Sequence, residues 1–153
     1  MADSAAILAW VERAGEFFEI NYGMAPISGR IVGWLLICEP AEQSAGEIAT
    51  AIKASRASLT TSLRALTAGG LVRRRRRAGE RTALYRVDDD AWEAVIRRRV
   101  ASLAAIDGLT EQGMRLVGET SGPAARLRAI QEVFAWFELL LADAPGPPSK
   151  TGA

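Results

Sequence analysis

The chain of 153 residues contains no histidine and a single cysteine, Cys38. Without histidine there is no imidazole for acid–base catalysis or for a Ser-His-Asp triad, and no usual zinc site can be assembled. No disulfide can form within the chain, and the scattered glycines make no phosphate-binding loop. We therefore expect no enzyme, no catalytic residue, no metal and no cofactor. Cys38 follows an apolar run, which indicates a small buried side chain rather than a redox-sensing thiol.

Long apolar runs are also missing, so no segment is expected to cross a bilayer and no membrane partner is predicted. The first residues, MADSAAILAW, lack the basic region of a signal peptide, which favours a cytoplasmic location. The length is typical of one domain with a real core, and the hydrophobic fraction of 49% is that of an ordinary globular protein.

The net charge of +1 conceals a very uneven distribution. Residues 53–87 contain ten basic side chains and one acidic side chain, a local charge of +9, whereas the rest of the chain carries −8. Most charge runs are only hydrated surface. A strongly basic segment within an acidic protein, however, indicates a local site for a polyanion.

Two helices are predicted at the start of the chain. Apolar side chains at helical spacing indicate a first helix over residues 4–22. A second helix, over about 27–38, is apolar on nearly all sides, which is typical of a helix in the middle of a core.

Two further helices carry recognisable start signals. Ser44 with Glu47 three residues later forms a capping-box pattern at the start of a short helix. Ser55 is a second N-cap residue, and the helix it opens ends at the glycine pair 69–70. In this fourth helix, leucines at positions 59, 63 and 66 form the stripe that faces the core.

A basic hairpin follows. A strand runs from Leu71 into five consecutive arginines, residues 78–80 form a turn, and residues 82–87 alternate like a return strand. Short helix, turn, second helix and basic hairpin together are the order of a winged helix-turn-helix.

The C-terminal part is predicted to be helical. One helix begins after the acidic residues 88–90 and runs at least to Ile106, and the Asp107-Gly108 pair either breaks or bends it. The last helix, over about 122–143, repeats apolar residues at the spacing of a heptad seam.

The predicted fold is therefore mainly α with a small β-hairpin wing. It comprises an N-terminal dimerisation helix (1–22), the winged helix-turn-helix (26–87), C-terminal dimerisation helices (88–143) and a disordered tail (144–153). One winged helix reads only a few base pairs, so we expect a homodimer on a palindromic operator, with residues 5–18 and 124–141 intertwined.

The fourth helix has the exposed composition of a DNA-recognition helix. Its outer face carries small side chains and one arginine, which can approach base edges closely, and its start can hold a phosphate. The candidate DNA-binding residues are Ser55, Arg56, Ala57, Ser58, Thr60, Thr61 and Arg64.

The hairpin supplies the candidate wing residues. These are Arg73, Arg74, Arg75, Arg76, Arg77 and Arg81. Alternate side chains of a strand point to opposite faces, so they cannot all contact one DNA backbone. We expect Arg76, Arg77 and Arg81, nearest the tip, to reach the minor groove or its phosphates. Arg73 to Arg75 would be partly hydrated or contact phosphates.

Residues 27–87 resemble the winged-helix core of the MarR superfamily, and most closely its GbsR-like branch. The matching features are Gly29-Arg30-Ile31, Ser55-Arg56-Ala57-Ser58, Ser62 to Leu66, Gly70 to Arg73 and Gly79-Glu80-Arg81. At the wing tip, Glu80-Arg81 stands where other MarR branches have an Asp-Arg pair. The resemblance implies a homodimeric DNA-binding transcriptional regulator, often a repressor released by a small molecule.

Aromatic residues outside the DNA-reading part suggest two roles. They either form core and dimer interface, or line an effector pocket whose candidates are Trp10, Phe17, Trp34 and Trp92. An aromatic cage would suit a quaternary ammonium compound, as the branch resemblance also implies. Two other functions stay open: a winged-helix module that binds an acidic protein, and a protein that coats DNA without sequence preference.

Overall fold

The computed structural model describes residues 4–142, which form six helices and three short strands. In chain order these are α1 Ser4–Tyr22, α2 Pro26–Ile37, β1 Gln43–Ser44, α3 Ala45–Ala51, α4 Arg56–Ala68, β2 Val72–Arg76, β3 Ala83–Val87, α5 Ala91–Val117 and α6 Gly122–Ala142. The mainly α fold with a small wing is thus confirmed. The tail predicted at 144–153 lies outside the described residues. The chain divides into two compact units, one up to Trp92 and one from Glu93 onward.

Helix α1 belongs to the first unit and packs along α2 at very close range. A Cβ built on Gly29 would stand 2.8 Å from the carbonyl oxygen of Gly15, and one on Gly33 would stand 2.7 Å from the Cβ of Ala14. Small residues at the crossing therefore let the two backbones meet. The other side of α2 is less enclosed than its composition predicts, since Leu36 is 43% exposed.

The core of the first unit lies between α2, α3 and α4. Its fully buried side chains are Val11, Ile31, Val32, Ile48, Ile52, Leu59, Leu63 and Val72, each at most 2% exposed. Both predicted helix starts are confirmed. The Ser44 hydroxyl accepts a hydrogen bond from the Glu47 backbone N–H while the Glu47 carboxylate accepts from the Ser44 N–H, and Ser55 accepts from the Ser58 N–H.

The sheet has three strands rather than the two of the predicted hairpin. Its order is β1-β3-β2, and both pairings are antiparallel. The additional strand, β1, is only two residues long, and the buried side chain of Gln43 accepts a hydrogen bond from the Trp34 indole N–H at 2.9 Å. A two-residue strand has no readable alternation, which is why the sequence pattern missed it. At the wing tip, Gly79 turns the chain with a φ of 82°.

The second unit consists of α6 and nearly all of α5. Helix α5 is uninterrupted at Asp107-Gly108, where the sequence left a break or a bend open. The buried Thr110 hydroxyl donates to the carbonyl oxygens of Ile106 and Asp107 in this stretch. A Cβ built on Gly113 would lie 2.8 Å from Leu127 Cδ1 of α6, so the two helices pack closely there.

Candidate nucleic-acid interface

Helix α4 presents its predicted DNA-reading face to solvent. The seven candidate residues are all exposed, whereas Leu59, Leu63 and Leu66 are buried on the opposite side. This division follows from the helical period, which places the leucines over the core and leaves Arg64 free on the outside. The Ser58 hydroxyl is already used within the helix start, where it donates to the Ser55 carbonyl oxygen at 3.0 Å.

The two threonines of α4 are oriented by their own helix. The Thr60 hydroxyl donates to the Arg56 carbonyl oxygen at 2.8 Å, and the Thr61 hydroxyl donates to the Ala57 carbonyl oxygen at 3.3 Å. Each hydroxyl can still accept a hydrogen bond, and each methyl group remains available for apolar contact. The face therefore offers acceptors and methyl groups, with Arg64 as a donor.

The strand register divides the wing arginines between two faces of the sheet. Arg74 lies opposite Tyr85, and Arg76 lies opposite Ala83, so these two arginines share one face with Tyr85. We call this face, defined by Arg74, Arg76 and Tyr85, the inner face. Arg74 and Tyr85 line an open groove of about 500 Å³ together with the outer surface of α4. The α4 residues of this groove are Thr60, Leu63, Arg64, Thr67 and Ala68.

The opposite face of the wing, the outer face, is defined by Arg73, Arg75, Arg77 and Arg86. All four arginines have carboxylate partners. Arg73 contacts Asp88 at 2.7 Å and Asp90 at 3.7 Å, and Arg86 contacts Asp89 at 2.9 Å. Arg75 and Arg77 share Glu42, at 3.5 and 3.8 Å. Four arginines thus face four carboxylates, and the formal charges of this face cancel.

The inner face and the groove beside it lack such partners. Within residues 4–142, no carboxylate lies at ion-pair distance from Arg64, Arg74 or Arg76. Arg81 is exposed beyond the turn, just before β3. The positive charge of the wing is therefore divided by the face of the strand and not by distance from the tip.

Sequence reasoning missed three residues that belong to this surface. Tyr85 and Thr67 line the groove beside the candidate arginines, and Glu42 holds two arginines of the outer face. The alternation of the strand could have found Tyr85, because it lies opposite Arg74 in the register. Glu42 gives no local signal, because its partners are more than thirty residues further along the chain.

The four candidate effector-pocket residues have different surroundings in the structure. Trp10 and Phe17 line an apolar groove of about 320 Å³ with Arg13, Phe18 and Leu36. Trp34 instead donates to Gln43, and Trp92 stacks on Phe18 with ring centroids 5.8 Å apart. Trp10 and Phe17 therefore share one groove, Trp92 stacks on a third residue of that groove, and Trp34 is hydrogen-bonded to Gln43.

Two titratable groups in the first unit have pKa values that differ from their ordinary values. Burial raises the pKa of the Cys38 thiol, so this 7%-exposed side chain stays protonated and behaves as the small hydrophobe that was predicted. Hydrogen bonds from the Ser44 backbone N–H and hydroxyl lower the pKa of Glu47.

Among residues 4–142, no three His, Cys, Asp or Glu side chains cluster as a metal site, and no helix could span a membrane.

The order of helices α2 to α4 followed by a three-stranded wing defines the class of winged helix-turn-helix proteins. Residues 90–143 match the family described as MmpR5-like MarR family transcriptional regulators. The chain is 34% identical to the HTH-type transcriptional regulator MmpR5 of Mycobacterium tuberculosis, over 94% of this chain and 87% of that protein. It also resembles a crystal structure of a transcriptional regulator, with a TM-score of 0.68 and 33% identity over 90% of this chain and 94% of the other.

The chain therefore belongs to the MarR family of transcriptional regulators. The predictions of a DNA-binding regulator and of a protein that is not an enzyme are confirmed at this level, because the relatives are regulators.

Proposed function

We propose that the protein is a sequence-specific repressor that binds palindromic double-stranded DNA as a homodimer. The observation that carries the DNA-binding mode is the groove between α4 and the inner face of the wing. Arg64 and Arg74 line this groove from its two sides, and neither is neutralised by a carboxylate of the described residues. An exposed, unneutralised cationic groove beside a helix with small side chains fits a duplex better than it fits an acidic protein surface.

The two parts of the groove have different roles in this mode. Helix α4 enters the major groove, where Thr60 and Thr61 present methyl groups and acceptors, and Arg64 donates to a guanine edge. Ser55 and Arg56 lie at the start of α4, where exposed backbone N–H groups can receive a phosphate. Arg74 and Arg76 contact the DNA backbone beside the helix, and Arg81 extends the wing towards the minor groove.

Dimer formation is supported by apolar surface that no described residue covers. On α1, Trp10 is 37% exposed and Phe17 is 52% exposed. On α6, the exposed apolar residues are Ile130, Val133, Trp136, Phe137, Leu139 and Leu140. A stable monomer rarely exposes so many large apolar side chains on its helices, so we assign residues 5–18 and 124–141 to a two-fold interface. Sedimentation equilibrium at micromolar concentration is expected to give twice the chain mass, and a monomer would overturn this assignment.

Selection of bound duplexes from a random-sequence pool tests the DNA-binding mode. We expect a palindrome with half-sites about one helical turn apart. Retention of DNA without an enriched sequence would identify a coating protein instead. Retention of no DNA would favour the module that binds an acidic protein. Expression of a reporter gene placed behind the selected site is then expected to fall when the protein is produced. A rise in reporter expression would identify an activator instead of a repressor.

An effector site is proposed at the apolar groove of Trp10 and Phe17. Arg13 lines the same groove, and its charge disfavours the quaternary ammonium compound that the GbsR-like resemblance implies. The groove thus fits an apolar or anionic small molecule better. Titration of choline and betaine against tryptophan fluorescence, with Trp10→Phe as the control, tests both ideas. A change that disappears in the control would support the quaternary ammonium ligand that the GbsR-like resemblance implies.

A further inference from the structure

Glu42 connects two wing arginines that the proposed DNA-binding mode does not use. Its Oε1 lies 3.5 Å from Nη1 of Arg75, and its Oε2 lies 3.8 Å from Nη2 of Arg77. A carboxylate and a phosphate present similar pairs of anionic oxygens to a guanidinium group. Glu42 therefore forms ion pairs with these two arginines at the positions where a DNA phosphate would bind them.

The carboxylate is fixed, while the arginines are exposed. The Glu42 side chain is only 21% exposed, whereas those of Arg75 and Arg77 are 69% and 58% exposed. The next residue, Gln43, explains the fixed position. Its backbone pairs with Tyr85 in the sheet, and its buried amide oxygen accepts the Trp34 indole N–H. Strand β1 thus holds Glu42 beside the outer face of the wing.

The ion pairs of Glu42 are long and open to solvent, so each is weak and is screened by salt. A DNA phosphate in a good position can compete for the same arginines. Any complex that uses Arg75 or Arg77 must first separate them from Glu42, and a complex that uses only α4 and the inner face has no such cost. The penalty therefore falls mainly on loosely placed, sequence-independent complexes.

We propose that Glu42 is a specificity-determining residue that withholds Arg75 and Arg77 from sequence-independent binding to DNA phosphates. The proposal rests on the proposed DNA-binding function and adds to it a means of limiting non-specific affinity. In this proposal the inner face of the wing binds DNA, while Glu42 keeps the arginines of the outer face from binding phosphates. The arginine run then acts as two separate groups of arginines, one on each face of the wing, and the outer group is held by carboxylates of the protein.

The test compares wild-type protein with Glu42→Gln on a duplex of random sequence, over a series of salt concentrations. For each released arginine, we expect affinity near 0.1 M salt to rise by up to about fivefold, which corresponds to the free energy of one exposed ion pair, and the slope of log K against log salt to steepen by up to about 0.9. Affinity for the selected palindrome rises less, so the ratio of specific to non-specific affinity falls.

Glu39→Gln is the matched control, because it removes the same charge from the same loop. No described arginine pairs with Glu39. A triple variant, Glu42→Gln with Arg75→Gln and Arg77→Gln, identifies the arginines responsible. The proposal requires that Glu39→Gln behave like wild type and that the triple variant lose the increase in random-duplex affinity.

Three results would overturn the proposal: equal effects of Glu42→Gln and Glu39→Gln, an increase that survives in the triple variant, or weaker binding by Glu42→Gln. The last result would show that Glu42 only supports the wing. The random-duplex part of the comparison needs no selected operator, so its outcome is distinguishable from a failure of the proposed function. If wild type selects no sequence while Glu42→Gln binds the random duplex more tightly, the proposed function fails, and Glu42 is a restraint on DNA affinity without a role in specificity. If neither protein retains a duplex, both fail.

Discussion

Arg73 and Arg74 are neighbours in β2, but their guanidinium groups have opposite surroundings. Arg73 contacts Asp88 and Asp90, whereas Arg74 lines the groove beside α4 and has no carboxylate partner among the described residues. The alternation of the strand is the cause, because it places consecutive side chains on opposite faces of the sheet. The strand register therefore separates the arginines that have carboxylate partners from those that have none among the described residues.

The first prediction follows from this contrast. Arg74→Gln is expected to weaken binding to every duplex to a similar degree and to make the salt slope shallower by about 1, as expected when one phosphate is no longer bound. Arg73→Gln is the matched control and leaves both quantities close to wild type, because Arg73 is already paired. Fluorescence anisotropy with labelled duplexes measures both variants. Equal losses from the two substitutions would refute the division of the wing into two faces.

The second prediction concerns Arg64. Because it lies on the exposed face of α4 beside Thr60, its loss should affect sequence preference and not only affinity. Arg64→Ala is expected to cost about 1–3 kcal/mol on the selected site and to relax the preference at one base pair of each half-site. Repeating the selection with this variant measures the effect. An unchanged motif with uniformly weaker binding would make Arg64 a phosphate contact instead.

The third prediction concerns pH and the start of α3. The pKa of Glu47 is lowered by two hydrogen bonds from Ser44, so the ionised carboxylate stabilises the folded state. This contribution is complete above the ordinary pKa of a glutamate. It is lost as the pH falls through the lowered pKa of the folded protein.

Urea denaturation of wild type and Glu47→Gln at fixed protein concentration, from neutral to acidic pH, checks this. The difference in the free energy of unfolding between the two proteins should shrink as the pH falls. Glu119→Gln, a change at an exposed position between α5 and α6, serves as the control for altered net charge. Ser44→Ala, which removes the cap itself, is expected to cost about 1 kcal/mol at neutral pH. A constant difference between wild type and Glu47→Gln at all pH values would contradict the capping interpretation.

The fourth prediction tests the close crossing of α1 and α2. In Gly29→Ala, the new methyl group would meet the carbonyl oxygen of Gly15 at 2.8 Å and its Cα at 3.0 Å. Both are backbone atoms, so the helices must separate, at a cost of about 1–3 kcal/mol in the free energy of unfolding. Gly108→Ala in α5 is the control, since its methyl group meets nothing within 4 Å. It is expected to stabilise by about 0.5–1 kcal/mol. A Gly29→Ala protein as stable as wild type would show that the helices can separate freely.

Local signals in the sequence were sufficient for the helices of the first unit. The bounds of α1 agree with the apolar spacing, and the starts of α3 and α4 agree with the serine caps. These features depend on residues three or four positions apart, whose chemistry can be read along the chain. The exposed face of α4 was predictable for the same reason, since three leucines fixed its buried side.

Features that depend on distant residues were not predictable in this way. Strand β1 exists because β3 pairs with it from about forty residues further along the chain. Likewise, only the fold shows that Trp34 donates to Gln43, while Trp92 stacks on Phe18 beside the groove of Trp10 and Phe17. The Asp107-Gly108 pair gives a local signal for a break. Helix α5 nevertheless continues through it, because the local cost of one glycine is small beside the packing of a long helix.

The sequence by itself determined that the protein carries a concentrated positive charge on a hairpin next to a helix with small exposed side chains. Composition and short-range periodicity are enough for that conclusion. Only the tertiary structure decided which arginines are available, because the carboxylates of Glu42 and Asp88 reach the outer face through strand pairing and chain reversal. Charge is a property of the residue, whereas its neutralisation depends on what the fold places within a few ångströms of it.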